Sequence, residues 1–152
     1  MSYELEANET PAEGIKRIIT EQIDKALERL QPPLDDPDEA IHDARKRFKK
    51  IRAAVRLVRD EIGSDAYHRE NHFFRDLGRR LAPMRDAYVN FDTLNDILEH
   101  YAVELKPEAF APLRKDLERK WQETSHQLIE EEQAHLDVVD ALREARERIQ
   151  TL

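Results

Sequence analysis

Cysteine is absent from this 152-residue chain. Disulfide staples, thiolate zinc sites and cysteine nucleophiles are therefore excluded, and a reducing, cytoplasmic setting is the expectation. Only three glycines are present, too few for the tight turns on which sheet proteins depend. No uncharged apolar run approaches the ~20 residues that a membrane-spanning helix requires. The stretch from Met1 to Thr10 is acidic and polar, without the basic segment and apolar core of a secretory signal. Charge is plentiful instead: 25 Lys and Arg stand against 33 Asp and Glu, a formal net of −8. Taken as a total, that figure argues against a nucleic-acid partner. What these absences leave is one nearly all-helical domain over residues 1–152, long enough to bury about two thirds of the surface its unfolded chain exposes.

The total conceals a segregation. Residues 1–41 carry 4 basic and 11 acidic side chains, residues 42–85 carry 13 and 6, and residues 86–152 carry 8 and 16. The middle segment is thus +7 between flanks of −7 and −8, and from Arg45 to Arg59 there are eight basic residues and no acid. A surface of interspersed ion pairs would not sort its charges in this way.

Helix signals divide the chain. Thr10-Pro11-Ala12-Glu13 reads as a capping box with proline at the first helical position. Ile15, Ile18, Ile19, Ile23, Ala26, Leu27 and Leu30 follow at helical spacing, and Gln31-Pro32-Pro33 ends the run. Asp36-Pro37-Asp38-Glu39 starts a second helix, expected to reach Ile62 and stop at Gly63. Ser64-Asp65 caps a third, interrupted by Pro83, and a fourth carries Ala87, Phe91, Leu94 and Leu98. Residues 107–152 contain no glycine or proline beyond Pro107 and Pro112, and read as a long C-terminal helix with its bend at residues 130–133. The fold class expected is all-α: an antiparallel four-helix bundle with a long C-terminal helix.

At about 100° per residue, the second helix places Ile41, Ala44, Phe48, Ile51, Val55, Val58 and Ile62 on its core face. A neighbouring sector holds His42, Arg45, Lys46, Lys49, Arg52 and Arg56, one cation roughly every 5.4 Å turn. Arg47 and Lys50 point elsewhere. Like charges at this spacing cost a helix a few tenths of a kcal/mol per pair, which a repeating anion would offset. The third helix adds His68, His72, Arg75 and Arg79 on one face, with Arg69 and Arg80 beside its apolar stripe and Arg85 after Pro83. Packed antiparallel across the short Gly63-Ser64 link, the two helices would form a groove lined by Arg, Lys and His, suited to phosphate groups. No aromatic residue interrupts the stripe, so bases have no stacking platform and a polyanion without bases is favoured.

The segment Ile41-His42-Asp43-Ala44-Arg45-Lys46-Arg47-Phe48-Lys49-Lys50-Ile51-Arg52-Ala53-Ala54-Val55-Arg56-Leu57 resembles the signature helix of the CHAD family: a histidine, then basic residues at Arg45, Lys49, Lys50 and Arg52. Leu81-Ala82-Pro83-Met84-Arg85-Asp86-Ala87-Tyr88-Val89 is similar to that family's second motif. The resemblance implies an all-helical domain that binds inorganic polyphosphate on a basic surface and associates with polyphosphate granules, without catalysis and without a cofactor. It also implies a chain similar to the N-terminal of two four-helix halves, and a homodimer through the long C-terminal helix is the corresponding expectation. Nucleic acid is expected only as a weak competitor, and no membrane as a partner. Together, the helix faces and the resemblance give as binding residues His42, Arg45, Lys46, Lys49, Lys50, Arg52, Arg56, Arg75, Arg79, Arg80 and Arg85; Lys50 enters through the resemblance alone, since the helical wheel turns it away.

Two other readings compete. A metal-dependent phosphohydrolase draws on Glu123-x-x-His126 and Glu132-x-x-His135, which match the spacing of di-iron bundles but fall about 180° apart on one expected helix. His68 and His72, four residues apart, could also ligate a metal, though Glu70 is misplaced for a zinc-protease motif. The second alternative is a structural helical interaction module. No nucleophile, glycine-rich phosphate loop or paired carboxylate supports catalysis, and no metal ligands are assigned.

Overall fold

The computed structural model describes residues 3–152. Among them there is no strand. Helix α1 spans Pro11–Leu30 and starts on the capping box, with the Glu13 amide donating to Thr10 Oγ1 at 3.2 Å and the Thr10 amide donating to Glu13 Oε2 at 2.9 Å. Helix α2, Pro37–Leu57, is capped by Asp36, whose carboxylate accepts from the Glu39 amide. The helix expected to continue to Ile62 breaks at Val58, where the backbone turns (φ −105°, ψ 19°) before the four-residue α3, Arg59–Ile62. Gly63 follows at φ +89°, a conformation that a side chain would strain, so the connection to the next helix depends on glycine there.

Helix α4, Ser64–His100, passes through Pro83 without stopping. This corrects the expected interruption. An interior proline costs about 3 kcal/mol, but Leu81, Met84 and Ala87 around it are buried, and each large apolar side chain so buried contributes about 1.5–3 kcal/mol. The continuing apolar stripe outweighs the missing amide. Beyond α4 come a 3₁₀ turn at Pro107–Phe110, helix α5 at Ala111–Ser125, a π-helical stretch at His126–Glu131, and α6 at Ala134–Ile149. The helical run is broken at Glu132 and at Gln133, which takes φ +51°.

The chain forms two compact units. The first holds the described residues up to Arg80 together with His135–Leu152, the second holds Leu81–Ala134. In the first, four helices pack in a closed antiparallel ring, as their side-chain pairs show. Arg29 meets Asp43 and Arg47 meets Gln22 between α1 and α2. Arg52 meets Asn71, while the Phe48 and Phe74 rings lie 6.3 Å apart, between α2 and α4. Arg80 meets Asp137 and Arg148 meets Glu70 between α4 and α6. Arg146 meets Asp24 and Gln150 meets Thr20 between α6 and α1. In every pair one number rises as its partner's falls. Inside the ring Ile19, Ile23, Leu30, Ile41, Phe48, Ile51, Phe74, Leu142 and Ile149 are fully buried, so the apolar face of α6 is spent within its own bundle.

The second unit is a helical hairpin. Trp121 of α5 stacks on Phe91 at 5.3 Å and meets Tyr88 edge-on, and Arg114 Nε donates to Asn95 at 2.6 Å. Its apolar surface is less completely covered, with Val89, Ile97, Tyr101, Val103 and Leu113 exposed.

Candidate functional site

Within the first unit, α2 and the first part of α4 enclose a groove lined by Arg45, Phe48, Lys49, Arg52, Phe74, Arg75, Gly78 and Arg79. Five of these eight carry positive charge and none carries negative charge. At about 240 Å³ and open to solvent, it falls below the usual 300–1,000 Å³ of a small-molecule pocket. Its walls present charged groups, and it does not enclose a ligand.

Each element contributes for a local reason. Ala44, Phe48, Ile51 and Val55 bury one face of α2, and this leaves Arg45, Lys49 and Arg52 at the rim. On α4, Phe74 is buried with Phe48, and Arg75 and Arg79 flank it. Gly78 completes the lining, and a Cβ built there would make an ordinary contact with the Phe48 ring at 3.9 Å. Arg52 Nε donates to Asn71 Oδ1 at 2.9 Å, which orients the guanidinium, and Arg75 Nε donates to the adjacent Asp76 at 3.0 Å. Arg45, Lys49 and Arg79 meet no hydrogen-bond or ion-pair partner among the described residues, and Nε of Arg45 is buried in that state. A buried donor without an acceptor costs about 1–3 kcal/mol.

The structure thus brings together Arg45, Lys49, Arg52, Arg75 and Arg79. The other expected residues stand apart from the groove lining. His42 lies half-buried one turn before Arg45, and Arg56 is exposed one turn after Arg52. Lys46 turns to Asp43, Nζ to Oδ1 2.9 Å, and Asp43 also receives Arg29. The Lys46 hydrogen bond, with the nearby Lys46, Arg29 and Arg47 charges, holds the Asp43 carboxyl below its usual range against a smaller opposing effect of burial. Lys50 lies under Tyr3, its ammonium 5.5 Å from the ring centre while the Tyr3 hydroxyl donates to the Lys50 carbonyl at 2.7 Å. Burial and then the Arg47, Lys25 and Lys46 charges push its pKa down. Arg80 reaches toward Asp137 of α6 at 3.4 Å. Arg85 belongs to the second unit, over the Tyr88 ring.

Sequence reasoning passed over Asn71, Gly78 and the buried Glu70. A lone glycine inside a helical pattern signals close packing and pointed to Gly78, whereas Asn71 and Glu70 act through partners 19 and 78 residues away. Glu70 is fully buried and receives Arg148 Nε at 2.6 Å, Arg148 Nη2 at 2.9 Å and Arg69 Nε at 3.1 Å. Burial alone would raise its pKa, but the hydrogen bonds from the two arginines outweigh that and lower it. Among the described residues no three metal-ligating side chains gather. No helix among them is long and apolar enough to cross a membrane.

A closed four-helix ring with a groove lined by five cations between two of its helices defines an all-helical protein with a basic face. Its sequence matches the CHAD domain family over residues 17–151, most of the chain, and the protein belongs to that family, whose domain is associated with polyphosphate. No curated protein and no solved structure matches it significantly.

Proposed function

We propose that this protein binds inorganic polyphosphate, without catalysis, along the groove between α2 and α4. One observation carries the reading: five cations from two antiparallel helices line a single groove that contains no carboxylate. Arginine guanidinium groups offer paired donors to phosphate oxygens and Lys49 offers a point charge, so successive phosphates of an extended chain find a partner on either wall. His42 and Arg56 continue the α2 row at its two ends. Lys46, Lys50, Arg80 and Arg85 support it only through their long-range charge. Granule association in the cytoplasm would follow from this binding.

The test is a titration of long-chain polyphosphate against the protein at fixed salt, with duplex DNA as competitor. Saturable binding that DNA displaces only weakly is the expected result. Equal displacement by either polyanion would reduce the groove to a diffuse charge effect. Release of inorganic phosphate from the same ligand upon addition of a divalent metal would favour the phosphohydrolase reading.

A further inference from the structure

The cationic track continues beyond the groove, toward the end of α2 that leads into α3. Two contacts fix the register of α2 and α3 against α4 there: Arg52 on Asn71 at 2.9 Å, and the Arg59 guanidinium 5.8 Å from the centre of the Tyr67 ring. Between them, antiparallel pairing brings Arg56 to the level of His68, and His72 directly follows Asn71, the partner of Arg52. On α4, His68 and His72 occupy the positions one and two turns before Arg75, on the face that also carries Arg79. Both imidazoles are exposed, with ring centres 5.8 Å apart. A second cleft opens at this end, lined by Arg59, Asp60, Gly63, Ser64, Tyr67 and His68.

We infer that His68 and His72 form a protonatable extension of the anion track, which engages phosphates of a chain already held by Arg45, Lys49, Arg52, Arg75 and Arg79 and takes up protons as it does so. The inference rests on the polyphosphate reading of the groove. The groups facing the two imidazoles are Arg52 and Arg56 from α2, Arg59 paired with the exposed Asp60 from α3, and, on α4 itself, Tyr67 with its ring 5.0 Å from that of His68, Asp65, Arg69 paired with Glu70, and Arg75 paired with Asp76. Helix α6 meets the other side of α4 through Arg148 and Glu70. A polyanion bound beside the imidazoles brings negative charge that favours their protonated form. Binding and protonation are then linked, so affinity must rise as pH falls through the range in which histidine titrates. The interior phosphates of a long chain keep one charge each across that range, so the effect belongs to the protein.

The experiment measures long-chain polyphosphate affinity at pH 6 and pH 8, at one ionic strength, for the wild type, His68→Gln/His72→Gln, His42→Gln and Lys49→Glu/Arg52→Glu. The wild type is expected to bind about tenfold tighter at pH 6 than at pH 8. The His68/His72 variant should match the wild type at pH 8 and lose most of the gain at pH 6, while His42→Gln keeps most of it. Calorimetry in two buffers of different ionisation enthalpy should show proton uptake by the wild type at pH 6.5, reduced in the His68/His72 variant. A pH ratio unchanged in the His68/His72 variant, or flat in the wild type, or abolished by His42→Gln, overturns the inference and leaves the groove intact. Undiminished binding by Lys49→Glu/Arg52→Glu overturns the groove reading itself.

Discussion

Lys49 and Lys50 are neighbours in sequence with opposite surroundings. Lys49 stands unpartnered at the groove, while Lys50 is covered by Tyr3 and crowded by Arg47 and Lys25. The family motif includes both, and helical periodicity alone separated them. Exchanging Lys49 and Arg52 for glutamate should therefore weaken polyphosphate binding about 100-fold or more, since each charged hydrogen bond lost contributes about 1.5–3 kcal/mol. The same exchange at Arg47 and Lys50 should cost less than about fivefold by residual long-range charge. Equilibrium titration of the two double variants under one buffer decides it. Glu70 belongs to the same scale but to stability. Its carboxyl has a lower pKa folded than unfolded, so its contribution is complete above the ordinary glutamate range near 4.3 and disappears as pH falls through the folded value. Glu70→Gln should destabilise the protein by about 3 kcal/mol at neutral pH, because Arg148 loses its partner in a partly buried site. Thermal unfolding from pH 7 to 3 should show a shallower acid-induced loss in that variant than in the wild type.

Helix starts were legible wherever the signal was local. Thr10 with Glu13, Asp36 before Pro37, and Gly63 at positive φ all act within one turn of themselves, and the structure shows each in that role. The apolar stripe of α2 was legible for the same reason, since Ile41, Ala44, Phe48, Ile51, Val55 and Val58 need only a 3.6-residue period to share a face. Pro83 was misread because its local penalty competes with burial of Leu81, Met84 and Ala87, which depends on what packs against α4. Arg80 was equally out of reach, as only the position of α6 sends it toward Asp137 and away from Arg79. If Pro83 is tolerated and not required, Pro83→Ala should stabilise the protein by about 1–3 kcal/mol in urea unfolding, since the amide of an alanine can complete the helical bond to Arg79. Groove binding should not change. A loss of stability would mean that the ring of Pro83 has a packing role.

Over the molecule as a whole, a net charge of −8 and a groove lined by five cations coexist because the basic residues are concentrated in the middle segment. On the proposed binding mode, the acidic flanks would disfavour a broad polyanion such as duplex DNA, whereas a thin flexible chain would meet the cations of the groove. If the five groove cations are all neutralised on binding, the logarithm of affinity should fall with the logarithm of salt at a slope of about −3.5 to −4.5. A series of titrations between 50 and 300 mM salt measures it, and a slope near −1 would mean that only one or two cations engage.

The aromatic floor of the groove adds a kinetic consequence. Phe48 and Phe74 lie directly beneath the five charges and are fully buried. Hydrocarbon there polarises far less than water, so the field of the cations is directed outward into the solvent above the groove and draws an anionic chain before contact is made. If the proposed binding holds, capture should be fast and salt-sensitive, release should depend on how many phosphates remain seated, and a bound chain should exchange one phosphate at a time along the groove.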